Sequence, residues 1–260
     1  MSSVSPYSHS WDTPRAHRVP PGGARCAGAT PGLVSSSTSD SHLLVDASEA
    51  RARRCRRAVL TAARLHVQEV PRWRVAMLTL TYRPEVDWQP GHVTALTKRM
   101  RDWLRRRGHE LRYVRVAELT RAGRVHYHML VWLPRGLTLP KPDKQGWWPH
   151  GSTRIEWARR AIGYVAKYAS KVEDFASGPQ GHSFPRGLRL FAVGGLSGVA
   201  RRIRAWWMLP AWLRDEWGSE HWPRRATGGG WVSRLTGDWL PSPWRVSGFN
   251  LGRIVLTTTC

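Results

Sequence analysis

Short runs of apolar and β-branched residues predict the strands of this chain. Three such runs occupy residues 75–82, 111–119 and 125–133, and their length and β-branched content are typical of strands. A fourth candidate strand lies at residues 188–193. Residues 134–150 contain Pro and Trp without any period, so they are predicted to form a loop.

Apolar side chains at intervals of three and four residues predict the helices. One helix is expected over residues 48–70, one from residue 91 to about residue 107, and one over residues 199–207. A further helix is predicted to begin at Ser152 or Thr153, whose hydroxyl would cap it, and to run to about residue 175. Its apolar face would comprise Ile155, Ala158, Ile162, Val165, Ala169 and Val172.

The N-terminal segment has a different composition from the rest of the chain. Residues 1 to about 45 are rich in Ser, Pro, Gly and Thr and hold few large apolar side chains. Such a segment cannot bury enough apolar surface to offset the entropy of ordering its backbone. The composition therefore predicts a disordered tail.

The charge balance points to a polyanionic partner. The chain carries 41 Lys and Arg against 18 Asp and Glu, a formal net charge of +23 at pH 7. Nucleic acid is the commonest polyanion that so basic a protein binds.

Cysteine spacing and hydropathy argue against several other classes. Cys26, Cys55 and Cys260 lie far apart and no CxxC occurs, so neither a zinc knuckle nor a disulfide framework is indicated. No apolar run approaches the roughly 20 residues of a membrane helix. The N-terminus lacks the apolar core of a signal peptide. We therefore expect a cytoplasmic protein without a membrane partner.

Residues 118–128 predict a hairpin that assembles candidate metal ligands. His126 and His128 are two apart on a strand, so their side chains project to the same face. A three-residue turn ending at Gly123 pairs Glu118 with His126, and directly opposed side chains lie about 5 Å apart. Two imidazoles and one carboxylate suit a divalent cation with open positions, such as Mg²⁺ or Mn²⁺.

The helix predicted after the loop carries a polar cluster on one face. At about 100° per residue, Tyr164, Lys167, Tyr168 and Lys171 share an arc of roughly 100°. A phenol attacks poorly at neutral pH, but nearby ammonium groups favour the phenolate and can neutralise charge on a phosphate. The chain has only five Lys, yet two of them lie here. The cluster predicts a tyrosine nucleophile supported by lysines.

These motifs resemble the HUH endonucleases, specifically the rolling-circle replication initiators of single-stranded DNA phages. Residues 77–82 resemble the first strand motif of the family, and residues 123–134 its His-hydrophobic-His motif. Residues 164–171 resemble the two-tyrosine helix of isometric-phage gene A proteins. The region from residue 186 to residue 197 and the overall length are more like filamentous-phage gene II initiators.

The resemblance implies a fold, a chemistry and a set of partners. The fold would be α+β, a central antiparallel sheet with flanking helices, over residues 48–200, between a tail at residues 1–47 and a Trp- and Arg-rich extension at residues 201–260. The chemistry would be metal-dependent nicking of single-stranded DNA at an origin, leaving a 5′-phosphotyrosine and a 3′-hydroxyl for a host polymerase. No Walker motif is present, so a host helicase would open the duplex.

Two other functions fit parts of the sequence. A two-tyrosine transposase would use the same residues, whereas a relaxase usually places its tyrosine ahead of the histidines. A non-catalytic single-strand binding protein would instead stack bases on exposed tryptophans between arginines. The candidates for such stacking are Trp147, Trp148, Trp206, Trp207, Trp231 and Trp239.

Overall fold

The computed structural model describes residues 42–170 and 183–258. Within these ranges, nothing is said of the side chains of Ala161, Val165, Tyr168, Ala169 and Ser170. The predicted tail up to residue 41, the end of the predicted helix at residues 171–175, and Lys171 therefore lie outside the described part.

The elements alternate in the order that the sequence indicates over most of the chain. The first half contains β1 (His42–Asp46), α1 (Ala47–Glu69), β2 (Arg74–Tyr82), α2 (Pro90–Arg105), β3 (Arg112–Leu119), β4 (Val125–Leu133) and β5 (Gly151–Trp157). The second half contains α3 (Ala161–Ser170), β6 (Phe191–Gly194), α4 (Gly198–Trp207), α5 (Ala211–Glu216), a 3₁₀ turn (Ser219–His221), β7 (Arg224–Arg225), β8 (Trp231–Val232), β9 (Trp239–Leu240), β10 (Trp244–Asn250) and β11 (Arg253–Thr258).

A five-stranded sheet forms the centre of the fold. Its strand order is β5-β2-β4-β3-β6, and every neighbouring pair is antiparallel. Strand β4 occupies the middle and is apolar along nearly its whole length because both of its faces are covered. The predicted α+β class with a central antiparallel sheet and flanking helices is confirmed.

Helices cover the two faces of this sheet and separate its alternate side chains. On one face, His66 of α1 stacks on Trp132 with ring centroids 4.5 Å apart, and α3 packs against α1 and the sheet. The opposite face contacts α2 and includes Tyr113, Arg115 and Tyr127. Because side chains alternate along a strand, His126 and His128 lie on the α1 and α3 face while Tyr127 lies on the α2 face.

The helix predicted from residue 153 is wrong in its first third. Residues 151–157 form β5 at the sheet edge, where Leu78 pairs with Ile155, and α3 begins only at Ala161. A Cβ at Gly151 would overlap the carbonyl oxygen of Thr81, so this glycine lets β5 approach β2 closely. The guanidinium of Arg74 lies 3.6 Å from the ring centroid of Trp157 and covers its exposed side.

Two small sheets complete the described residues. Composition places residues 42–46 in the tail, whereas the structure has them as β1, paired with β11 so that His42 opposes Thr257. Strand β10 extends this sheet, and β7, β8 and β9 form another. The domain boundaries at residues 47 and 200 stay predictions. Across residues 42–170 and 183–258, we find no helix with the length and apolar content needed to span a membrane.

Candidate active site

The turn between β3 and β4 has the predicted geometry. Gly123 adopts φ 72°, the left-handed conformation that a three-residue hairpin turn requires. The Thr120 amide donates to the Arg124 carbonyl at 2.8 Å, and the Arg124 amide donates to the Thr120 hydroxyl at 3.1 Å. The resulting register opposes Glu118 and His126, as the sequence predicts.

The structure brings Glu118, His126 and His128 to one face of the sheet. The Glu118 carboxylate lies 2.9 Å from Nε2 of His128, its diagonal neighbour across the ladder. The rings of His126 and His128 are 6.3 Å apart between centroids and nearly perpendicular. Glu118 thus bonds to the second histidine even though the register places it opposite the first.

Thr79 holds the other side of the His128 ring, a contact that the sequence reasoning missed. Its hydroxyl lies 3.3 Å from Nδ1 of His128, and the two residues are paired between β2 and β4. With Nε2–H donating to Glu118, Nδ1 accepts from Thr79, so both ring nitrogens are oriented. The signal was the alternation of Thr79 and Thr81 in the first strand motif, on the face shared with the histidines.

Burial favours the neutral form of His126. The pKa of His126 is lowered, first because burial penalises the charged imidazolium and second because His128 is close; Glu118 opposes the shift. A neutral imidazole has a free nitrogen lone pair, which is the form that binds a cation.

The three side chains fit a divalent cation by donor type and by face. Two imidazoles and a carboxylate are ligands for Mn²⁺ and, through the carboxylate, for Mg²⁺. In the described conformation two of the three donors are bonded to each other. Among residues 42–170 and 183–258, no group of three or more His, Cys, Asp and Glu is already arranged around one point. A bound cation would therefore replace the Glu118–His128 bond.

Helix α3 places Tyr164 over the same face of the sheet. The Tyr164 side chain is half-buried and lines a small cavity together with His128, Val116 and Leu130. Lys167, one turn further on, is exposed. Tyr168 belongs to the helix but its side chain, like Lys171, lies outside what the structure describes. The structure thus brings Tyr164 and His128 together, and the remaining members of the predicted cluster stay predictions.

The tryptophans predicted to stack bases differ in their surroundings. Trp148 is fully buried and donates its indole N–H to the Thr81 carbonyl, so it belongs to the core. The guanidinium of Arg214 lies 5.0 Å from the Trp207 ring, and that of Arg225 lies 5.0 Å from the Trp231 ring. These arginines already cover aromatic faces within the chain.

Comparison with known protein families bears on the segment that contains this site. Residues 75–173 match the model of a replication-associated protein family, that of the ORF2 and gene II proteins. The match to this replication-associated family begins in β2 and extends past α3, so it includes the hairpin and every predicted site residue. It supports a role in the initiation of DNA replication. No curated protein and no solved structure matches the chain.

Proposed function

We propose that this chain initiates rolling-circle replication by nicking and joining single-stranded DNA through a tyrosine. One observation carries the proposal: Tyr164 and the pair Glu118–His128 share one face of the sheet, within the segment that matches the replication-associated family. Net charge of +23 supplies the attraction for the phosphate backbone.

The reaction is a transfer of a phosphodiester from DNA to the tyrosine and back. The Tyr164 oxygen forms a bond to phosphorus, its proton leaves to a base, and the bond from phosphorus to the 3′ oxygen breaks. The products are a 5′-phosphotyrosine and a 3′-hydroxyl, which takes up a proton and serves as a primer. The energy of the phosphodiester is retained, so a later 3′-hydroxyl can reverse the step.

The chain's own residues would orient and neutralise the reacting phosphate. Glu118, His126 and His128 would hold Mg²⁺ or Mn²⁺, which polarises a non-bridging phosphate oxygen when bound. Lys167 and Lys171 would favour the phenolate and balance the charge of the transferring group. Tyr168, one helical turn from Tyr164, would accept a strand while the first tyrosine still holds DNA.

The partners follow from that chemistry. The substrate is a single strand at an origin, and a host helicase and a host polymerase would open and extend it in the cytoplasm of a bacterial cell. A two-tyrosine transposase would use the same residues on the ends of an insertion element. A non-catalytic single-strand binding protein would need neither the histidine pair nor the tyrosines.

Covalent-adduct formation tests the proposal directly. Wild-type protein incubated with candidate-origin single strands and Mn²⁺ should yield a DNA–protein adduct on a denaturing gel. His128→Ala should lose the adduct and retain DNA binding, because binding energy comes mainly from phosphate contacts elsewhere. His109→Gln, which alters a histidine at the start of the connection to β3, is the matched control and should behave as wild type.

The tyrosines are separated by conservative variants. Tyr164→Phe and Tyr168→Phe should each retain some adduct, and the double variant should retain none, since removal of a hydroxyl barely disturbs packing. Tyr82→Phe is the control, because its hydroxyl is buried on the far face of the sheet. Adduct in the double variant would refute the tyrosine assignment.

A further inference from the structure

A second cavity lies on the opposite face of the sheet from the histidines. It has a volume of about 650 Å³ and is enclosed between α2 and strands β3, β4 and β6. Tyr113, Arg115 and Tyr127 form its floor, and Lys98, Arg101 and Arg189 lie at its rim. We call it the α2 cavity. Its volume is in the range of small-molecule sites, roughly 300–1,000 Å³.

The floor of the α2 cavity holds a buried cation. Arg115 is 7% exposed, and its Nε is buried without a hydrogen-bond partner in the described part of the chain. Its guanidinium lies 5.0 Å from the ring centroid of Tyr127. Burial of a guanidinium is costly unless hydrogen bonds and an opposite charge compensate it.

The described residues around the cavity supply no acidic group for that compensation. None of those that line it is Asp or Glu. No ion pair of Lys98, Arg101 or Arg189 occurs within residues 42–170 and 183–258. Burial lowers the pKa of Arg115, and repulsion from Arg189 acts in the same direction. Four cations around one concavity therefore indicate an anionic ligand.

Aromatic side chains indicate that the ligand has a ring as well as a charge. Trp88 is half-buried at the cavity wall, and its indole N–H donates to the Tyr127 hydroxyl at 2.6 Å, which holds both rings in place. Aromatic side chains beside a cationic groove are the combination that holds the bases and phosphates of single strands.

We propose that the α2 cavity binds one nucleotide of the single-stranded DNA substrate. The phosphate is held by Arg115 and the rim cations, and the base rests against Trp88. The identity of the strand as the partner rests on the proposed function. The cavity adds affinity and takes no part in the chemistry, because the sheet separates it from Tyr164 and His128.

Two pairs of charge changes on the same helix provide the test. Lys98→Gln/Arg101→Gln removes two rim cations, and Arg99→Gln/Arg106→Gln removes two exposed cations of the α2 region that do not line the cavity. Binding of a labelled single strand of about 20 nucleotides is measured by fluorescence anisotropy, with EDTA to prevent cutting. The rim variant should bind about tenfold more weakly than wild type, and the control within about threefold.

The aromatic part of the proposal has its own variant pair. Trp88→Leu should weaken binding at least about fivefold, and Trp88→Phe should stay within about twofold, because stacking depends on the ring. Circular dichroism on both variants establishes that they fold. Equal affinities for the rim variant and its control, or for Trp88→Leu and Trp88→Phe, would show that no nucleotide is held there.

Two further measurements separate the possible ligands and the two proposals. Thymidine 3′,5′-bisphosphate should compete with the strand only weakly. Tight binding of this free nucleotide in the cavity, with strand affinity unchanged in the rim variant, would make the ligand a free nucleotide and overturn the proposal. Absence of nicking by wild type, with the rim effect intact, would overturn the proposed function and leave the cavity assignment standing.

Discussion

At the scale of single residues, the interior of the protein contains a histidine that is kept uncharged. His66 of α1 is fully buried and stacks on Trp132. Burial lowers the pKa of His66 to about 4, and the nearby Arg112 acts in the same direction while Glu69 opposes it. The folded state therefore binds fewer protons than the unfolded state between about pH 4 and pH 6.5.

This histidine should make stability depend on pH. With the folded pKa depressed, the neutral form stabilises the fold above about pH 6.5, and that contribution is lost as the pH falls towards 4. Between about pH 7 and pH 5, His66→Phe should lose roughly 2 kcal/mol less unfolding free energy than wild type, because about 1.4 kcal/mol accompanies each pH unit. Urea titrations at both pH values measure the difference.

A second core variant separates protonation from packing. Val59→Ala, on the same helix and equally buried, should destabilise the protein by a similar amount at both pH values. The same pH response in His66→Phe as in wild type would assign the acid sensitivity to other groups.

At the scale of elements, the hairpin of β3 and β4 was predictable and the start of α3 was not. The hairpin depends on neighbouring residues, namely period-two alternation around Gly123, which the sequence displays directly. In contrast, Ile155 of β5 lies seven residues before Ile162 of α3. A strand followed at once by a helix therefore imitated one continuous helical stripe.

Long-range pairing lay beyond the local pattern. Strand β1 pairs with β11 at the other end of the chain, and no residue near His42 indicates that partner. The α2 cavity was equally hidden, because nothing in the local sequence distinguishes Arg115 from a solvent-facing arginine. The face that carries Glu118, His126 and His128 could be predicted, whereas the direct Glu118–His128 bond depends on rotamers and could not.

Gly151 tests the assignment of β5. An added Cβ would overlap the Thr81 carbonyl oxygen, so Gly151→Ala should destabilise the protein by about 2 kcal/mol or more and lower Tm. In a helix the same change would stabilise, because alanine is the better helix former. Thermal unfolding gives the sign.

The neighbouring Ser152→Ala is the control for this position. Ser152 is exposed on the same strand, so its change should alter the unfolding free energy by less than about 0.5 kcal/mol. A higher Tm for Gly151→Ala would contradict the strand.

At the scale of the whole molecule, the charge of +23 should govern DNA affinity. Arginines project from α1, α2 and the connections around them, and cations that neutralise phosphates release counter-ions. The slope of log K against log salt for a single strand should be about −3 or steeper, since each phosphate contributes about −0.7. Anisotropy titrations across a salt series measure it, and a nearly flat slope would contradict a mainly electrostatic interface.

Strand β4 gives the two faces of the sheet a shared sensitivity to insertions and deletions. Its successive residues serve opposite sides, with His126 and His128 on one side and Tyr127 on the other. One residue inserted after Val125 inverts this alternation, so an aromatic ring replaces a ligand and an imidazole enters the opposite cavity. A residue inserted between Arg121 and Gly123 leaves the alternation intact. Length variation among related chains should accordingly collect in the turn and spare the strand.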